Sequence, residues 1–303
     1  MKDMNKNILL VNPPYYRLYK DNYSLARYPL ALGYLSGAIL KETSWNVMAY
    51  NADFCPDSIP WSISFLAGKG FDNYLHDLEK MKSKVWDEIR QTILDFKPSV
   101  IGLSCMTQGF KSACNIANIA KQIDENILVI IVGAHATLLR SEVMECPHID
   151  ICAVGEGDET IVEFLNSIDG HGDLADIAGI IYRREGQVIE NPPRILAGDL
   201  DSFPFPHLSA ERVLKDFQKY PLQAFQHIFS VRGCPYNCIF CGSRNIWGRI
   251  PRYRSTDNVI EEIISLKKMG VNSVIFEDDT FGIRESHILE LCDKIMKYAP
   301  GTE

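Results

Sequence analysis

The alternation of short apolar runs with amphipathic, helix-length segments constrains this chain more than any other feature. NILLVNPP (7–14), WNVMAYNADF (45–54), SVIGLSCM (99–106), ILVIIVG (127–133) and DICAVG (150–155) each have the length and β-branched content of a buried strand. Between and after them lie segments at helical spacing: YPLALGYLSGAILKE (28–42), the polar stretch 74–96, residues 110–125, a short helix after Ala136, and ETIVEFLNS (159–167). Five strands interleaved with helices predict a parallel, doubly wound sheet. A sheet of that kind takes its ligand where the strands end. Here those ends are Asn12-Pro13-Pro14, Asp53, Ser104, Gly133 to His135 and Gly155 to Gly157.

From about 170 to 222 the alternation weakens. IAGIIYRREGQVIENPP (177–193) reads as a β-hairpin turning at Glu185-Gly186, and DSFPFPHL (201–208) as a proline-punctuated connector. FQHIFSVRG then starts a new strand, Asp257 caps a helix, VNSVIFEDD is the next strand and SHILELCDKIMKY the next helix. These are two βα units, with the reactive residues again at strand ends, where a barrel places chemistry. The expected organisation is a flavodoxin-like (Rossmann-like) α/β domain over 1–170, a connector over 171–222, and the opening of a TIM-type barrel over 223–303.

With 303 residues, 46% of them hydrophobic, the chain can bury two such cores. A formal charge of −8 excludes a nucleic-acid partner held by a basic field. The longest apolar run, Ile127 to Ala134, is far short of the roughly 20 residues of a membrane span. Nine cysteines behind an N-terminus without a signal-like segment read as cytoplasmic thiols rather than a disulfide framework.

Three of those cysteines stand apart. RGCPYNCIFCGSR (232–244) places Cys234, Cys238 and Cys241 at offsets of four and three, with no fourth nearby. Structural zinc and simple electron-transfer clusters take four protein ligands. Three thiolates suit a [4Fe–4S] cube whose fourth iron stays open to a small molecule; a chance spacing or a structural zinc site is the alternative. The CxxxCxxC loop after a strand, with Gly233 before it and Phe240 inside it, resembles the radical S-adenosylmethionine superfamily. That resemblance implies that S-adenosylmethionine chelates the open iron and is cleaved reductively to a 5′-deoxyadenosyl radical. It also implies contacts from Phe240 and, at the end of the next strand, from Asp278 and Asp279 of IFEDDTF, whose carboxylates can accept from ammonium and hydroxyl groups. A solvated acidic turn is the plainer alternative for the two aspartates.

A flavodoxin-like domain directly before such a loop resembles the cobalamin-binding subfamily, which includes methyltransferases of unactivated centres and the anaerobic Mg-protoporphyrin IX monomethyl ester cyclase. VGAHATLL (132–139) and VGEGDETIVEFL (154–165) carry the resemblance. It implies a cobalamin site at Asp53, Ser104, Gly133, Ala134, His135, Gly155, Glu156 and Gly157, with the Ser104 hydroxyl meeting the nucleotide tail. Cobalamin domains that ligate cobalt through the protein carry Asp-x-His-x-x-Gly. DFCPDS (53–58) has Cys55 and Ser58 in place of the histidine and glycine, so cobalamin is expected without a histidine lower ligand.

The family's barrel needs about six units and only two are present, so the chain reads as truncated within it. The expected function is radical chemistry for methyl transfer. Cyclase-type chemistry without methyl transfer, or a non-catalytic cobalamin-binding module, are the alternatives. A small-molecule or peptide substrate and an electron donor such as a flavodoxin or ferredoxin would be the partners.

Overall fold

The structure is a computed structural model that describes residues 5–303. Its centre is a seven-stranded sheet in the order β2-β1-β3-β4-β5-β6-β7. The strands are β1 (Asn7–Asn12), β2 (Asn46–Asn51), β3 (Val100–Ser104), β4 (Leu128–Val132), β5 (Ile151–Ala153), β6 (Ile180–Arg184) and β7 (Gln187–Glu190). β1 to β5 are parallel, in the 2-1-3-4-5 order of a flavodoxin-like sheet. Alternation along β1 shows why both faces are covered: Ile8 and Leu10 enter one core, Leu9 and Val11 the other.

The hairpin of β6 and β7 adds antiparallel to β5, so the sheet runs on past residue 170 into the segment read as connector. β5 is only three residues long, and Ile180, Ile181 and Tyr182 of β6 are all buried against it. The hairpin thus covers an edge that would otherwise present free backbone groups.

Two further expectations are corrected. The stretch 74–96 is two helices, Lys69–Lys80 and Lys84–Phe96, separated by Met81 at φ +51°. Asp77 imposes the break. Its Oδ1 accepts from the Lys82 and Ser83 amides and its Oδ2 from the Trp86 indole, which ties the turn between the two helices to the first of them.

The strand expected from Phe225 to Gly233 is also split, into β8 (His227–Ile228) and β9 (Val231–Arg232). Asp278 Oδ1 accepts from the Ser230 and Val231 amides at 2.7 and 3.0 Å, taking donors that a continuous ladder would use. β8 pairs parallel with β11 (Ile275–Phe276), as consecutive βα units should. β9 instead turns away and pairs antiparallel with β10 (Arg252–Tyr253). Helices Thr256–Met269 and Glu285–Tyr298 complete this part, and Val259, Ile263, Leu266 and Leu291 join the same core as Ile8 and Leu10. The two halves therefore share buried surface and are not merely tethered.

Candidate functional site

All five parallel strands end at one cavity of about 620 Å³. Asn12 and Pro13 come at the end of β1, Asn51 and Asp53 at the end of β2, Ser104 and Cys105 at the end of β3, Gly133 and Ala134 follow β4, and Gly155 to Asp158 follow β5. The opposite wall belongs to the second half, through Phe229, Arg232, Trp247, Glu277 and Asp279. The cavity has the size of a cofactor site and lies in the crevice at the strands' carboxyl ends.

Backbone shape at the β4 end admits only glycine. Gly133 has φ +102° and ψ −168°, a region closed to side chains, and an added Cβ would lie 3.0 Å from the Cys105 carbonyl oxygen. At Gly155 a Cβ would meet no protein atom within 4 Å. With Ala134 and Gly157 alongside, this wall is low and open, as the close approach of a flat macrocycle requires. Among the described residues no histidine lines the cavity.

Of the expected cobalamin residues, Asp53, Ser104, Gly133, Ala134, Gly155, Glu156 and Gly157 share this cavity. His135 does not line it. Its ring lies buried behind the wall against Phe110, with Nδ1 3.2 Å from the Thr107 hydroxyl and Nε2 unpartnered. Burial lowers its pKa, as expected of a neutral packed imidazole.

Asp53 accepts from the Tyr15 and Arg17 amides through Oδ1 at 2.8 and 3.1 Å. Burial pushes its carboxyl up to about 7 against those bonds and the nearby Arg17 guanidinium. The folded value thus exceeds the unfolded one of about 4. The folded state binds the extra proton between about pH 4 and 7, so this group's contribution to stability falls as pH rises through that window and is constant above it. Asp53→Asn should remove that slope and gain relative to wild type by up to a few kcal/mol at pH 8. Urea unfolding of both proteins from pH 4 to 8 measures the difference, and parallel curves would refute the assignment.

Glu156 is already engaged. Its Oε1 is 2.8 Å from Arg232 Nη1 and its Oε2 is 2.9 Å from Arg252 Nη1. Burial alone would raise this carboxyl, but the Arg252 and Arg232 guanidiniums outweigh it and hold the pKa below the ordinary range. Arg232 also reaches Asp158 Oδ2 at 3.1 Å and lies within 5.2 Å of the ring centres of Tyr34, Phe203 and Trp247.

The three clustered cysteines lie on the loop between β9 and helix Ser243–Trp247. Cys234 is half-buried, with Sγ 3.1 Å from the Thr280 hydroxyl, while Cys238 and Cys241 are exposed. Ile239 and Phe240 between them are 96% and 90% exposed, so the loop has no protein core of its own. Phe240 stands clear of the cavity. Among the described residues no three ligating side chains converge tightly enough to share a metal ion. The donor set itself, three thiols within eight residues, has the chemistry of iron–sulfur ligation.

The two aspartates at the end of β11 differ. Asp279 lines the cavity and accepts from the Ser243 hydroxyl at 2.6 Å, tying the far end of the cysteine loop to the β11 end. Asp278 lies outside the cavity wall and is saturated by the Ser230 hydroxyl and the two amides already named.

Comparison with known proteins bears on both walls. Residues 61–165 match the B12 binding domain family and residues 228–301 the radical SAM superfamily. The chain combines a B12-binding domain with a radical SAM domain. It is 30% identical over 290 residues to an uncharacterized methyltransferase, PH0819, of Pyrococcus horikoshii, a match covering 95% of this chain and 56% of that protein. It is 27% identical over 221 residues to the anaerobic magnesium-protoporphyrin IX monomethyl ester cyclase of Rubrivivax gelatinosus, covering 70% and 39%. The chain thus spans about half, or less, of the curated relatives it matches.

The fold is similar to that of the cobalamin-dependent S-adenosylmethionine radical enzyme OxsB, with aqua-cobalamin and S-adenosylmethionine bound. The TM-score is 0.70 at 20% identity, over 97% of this chain and 37% of that one. It is also similar to the radical S-adenosylmethionine methyltransferase TsrM of Kitasatospora setae, with a TM-score of 0.68 at 17% identity, over 97% and 51%. The B12-binding half supplies the strand-end wall of the cavity and the radical SAM half the wall beside the cysteine loop. Among the described residues no helix is long and apolar enough to cross a membrane.

Motif reading missed Arg232, Trp247, Tyr34 and Glu277 on the cavity wall. One signal was present: an arginine in the strand immediately before the cysteine loop.

Proposed function

We propose that this chain holds cobalamin in the strand-end cavity and, on Cys234, Cys238 and Cys241, a [4Fe–4S] cluster that binds S-adenosylmethionine, for methyl transfer to an unactivated centre. The observation that carries the reading is the single cavity with one wall from each half, since a methyl carrier and a radical source must act on the same space. When bound, the cluster supplies one-electron cleavage of S-adenosylmethionine and cobalamin supplies a transferable methyl group.

The chain's own residues have simpler tasks. The three thiolates would hold the cluster, which takes one more ligand than they supply. Asp279 faces the space beside them with a carboxylate suited to an ammonium or ribose hydroxyl. Gly133, Ala134, Gly155 and Gly157 admit the macrocycle, Asp53 and Ser104 offer it polar groups, and Tyr34 and Trp247 narrow the cavity against water. An electron donor such as a flavodoxin or ferredoxin would supply the reducing equivalent.

The test is electron paramagnetic resonance of the anaerobically reconstituted, dithionite-reduced protein with and without S-adenosylmethionine. A reduced-cluster signal that changes shape on addition is expected. A signal indifferent to S-adenosylmethionine, or none, would leave only the cobalamin module. The cyclase among the relatives supports a second reading, radical chemistry without methyl transfer. Methyl-labelled S-adenosylmethionine separates the two: label on the bound corrin supports transfer, and its absence beside 5′-deoxyadenosine formation supports the cyclase type.

A further inference from the structure

The base of the cysteine loop is a pair of two-residue strands in which Arg232 lies directly opposite Arg252. Like charges facing across a ladder repel, and a pairing of two residues a side is weak on its own. Both arginines nevertheless lie close to the same buried carboxylate. Glu156 gives Oε1 to Arg232 and Oε2 to Arg252, Arg252 Nη2 returns to Oε1 at 3.1 Å, and Asp158 takes the second contact to Arg232. Glu156 and Asp158 belong to the B12-binding half, 76 and 74 residues upstream of Arg232. Arg232 is 7% exposed, Glu156 5% and Asp158 6%, so three of the four members are buried at the cavity wall, and removing one leaves buried charge unpaired. At the loop's other end, helix Ser243–Trp247 packs on helix Ala134–Leu139, again in the B12-binding half.

We propose that Glu156 and Asp158 assemble the base of the cysteine loop, with Arg232 as the positioning residue that fixes where the loop stands relative to the strand-end cavity. Gly233 at φ +102° separates Arg232 from Cys234, so the anchor acts two residues from the first thiol. The assignment of the thiols rests on the function proposed above; the anchor does not, because every contact in it is between protein groups.

Hydrogen–deuterium exchange of the cofactor-free protein tests it directly. Glu156→Gln, which keeps shape and removes charge, should raise exchange of the β9 and β10 amides about tenfold or more and leave β1, β3 and β4 protected. Arg232→Met should do the same, and Arg232→Lys should restore most of the protection. Unchanged exchange in Glu156→Gln, or loss of protection throughout the sheet, would overturn the proposal. Should Arg232→Met fail to fold, the Glu156→Gln result decides.

A second readout follows position. In the loaded protein, magnetic coupling between cob(II)alamin and the reduced cluster should weaken or spread in Arg232→Met and recover in Arg232→Lys. Coupling unchanged in Arg232→Met would also overturn the proposal. Absence of either cofactor from wild type would defeat the functional reading and leave the exchange result to decide the anchor.

Discussion

Cys238→Ala is expected to strip the chain of its iron while leaving its affinity for cobalamin unchanged. Iron should fall from about four per chain after reconstitution to a small residue, because a cube held by two thiolates has lost a third of its protein ligands. The corrin should be unaffected. The cavity wall is built from strand ends and from Phe229, Arg232, Trp247, Glu277 and Asp279, and Cys238 is neither on it nor packed against the core. Because Cys238 is exposed, its loss should leave the unfolding midpoint of the cofactor-free chain in place. Iron and sulfide analysis beside a hydroxocobalamin titration would settle the matter, and joint loss of both cofactors would contradict two separate sites.

The second large effect is expected at Gly133. Substitution by Ala forces a side chain into a backbone conformation that is essentially reserved for glycine and pushes Cβ against the Cys105 main chain, which cannot swing aside as a side chain can. A loss on the order of 3 kcal/mol is expected. The damage should extend to cobalamin, since the Cys105 segment and Gly133 form adjacent parts of one wall. Chemical denaturation gives the stability change and a corrin titration the binding change. A Gly133→Ala protein of wild-type stability would mean that the turn after β4 is not as described.

What the sequence disclosed, and what it withheld, follows from the range of the interactions involved. The five parallel strands were legible because alternation and burial are written into consecutive residues: Leu9 and Val11 to one side, Ile8 and Leu10 to the other. Strand-end residues such as Ser104 and Gly155 followed from that, because topology alone places them at the crevice. His135 was misplaced for a local reason. It does lie after β4, but the helix beginning at Ala134 turns its ring inward, toward Phe110. The break at Ser230 was invisible because it depends on Asp278, 48 residues away. Arg232, Glu156 and Arg252 were each visible as residues but not as a network, since nothing in spacing reveals how two halves dock. Glu156 was assigned to cobalamin, and the structure shows where its charge is spent.

The docking has a consequence for the order in which the protein is made. Glu156 and Asp158 leave the ribosome 76 and 74 residues ahead of Arg232, an interval of roughly 4 to 15 s at ordinary elongation rates. The first sheet, through its β6–β7 hairpin, can be complete before the cysteine loop exists. The loop would then emerge onto an acidic platform already in place, and insertion of inorganic sulfide and iron would come to a segment whose base is held, not to a free chain.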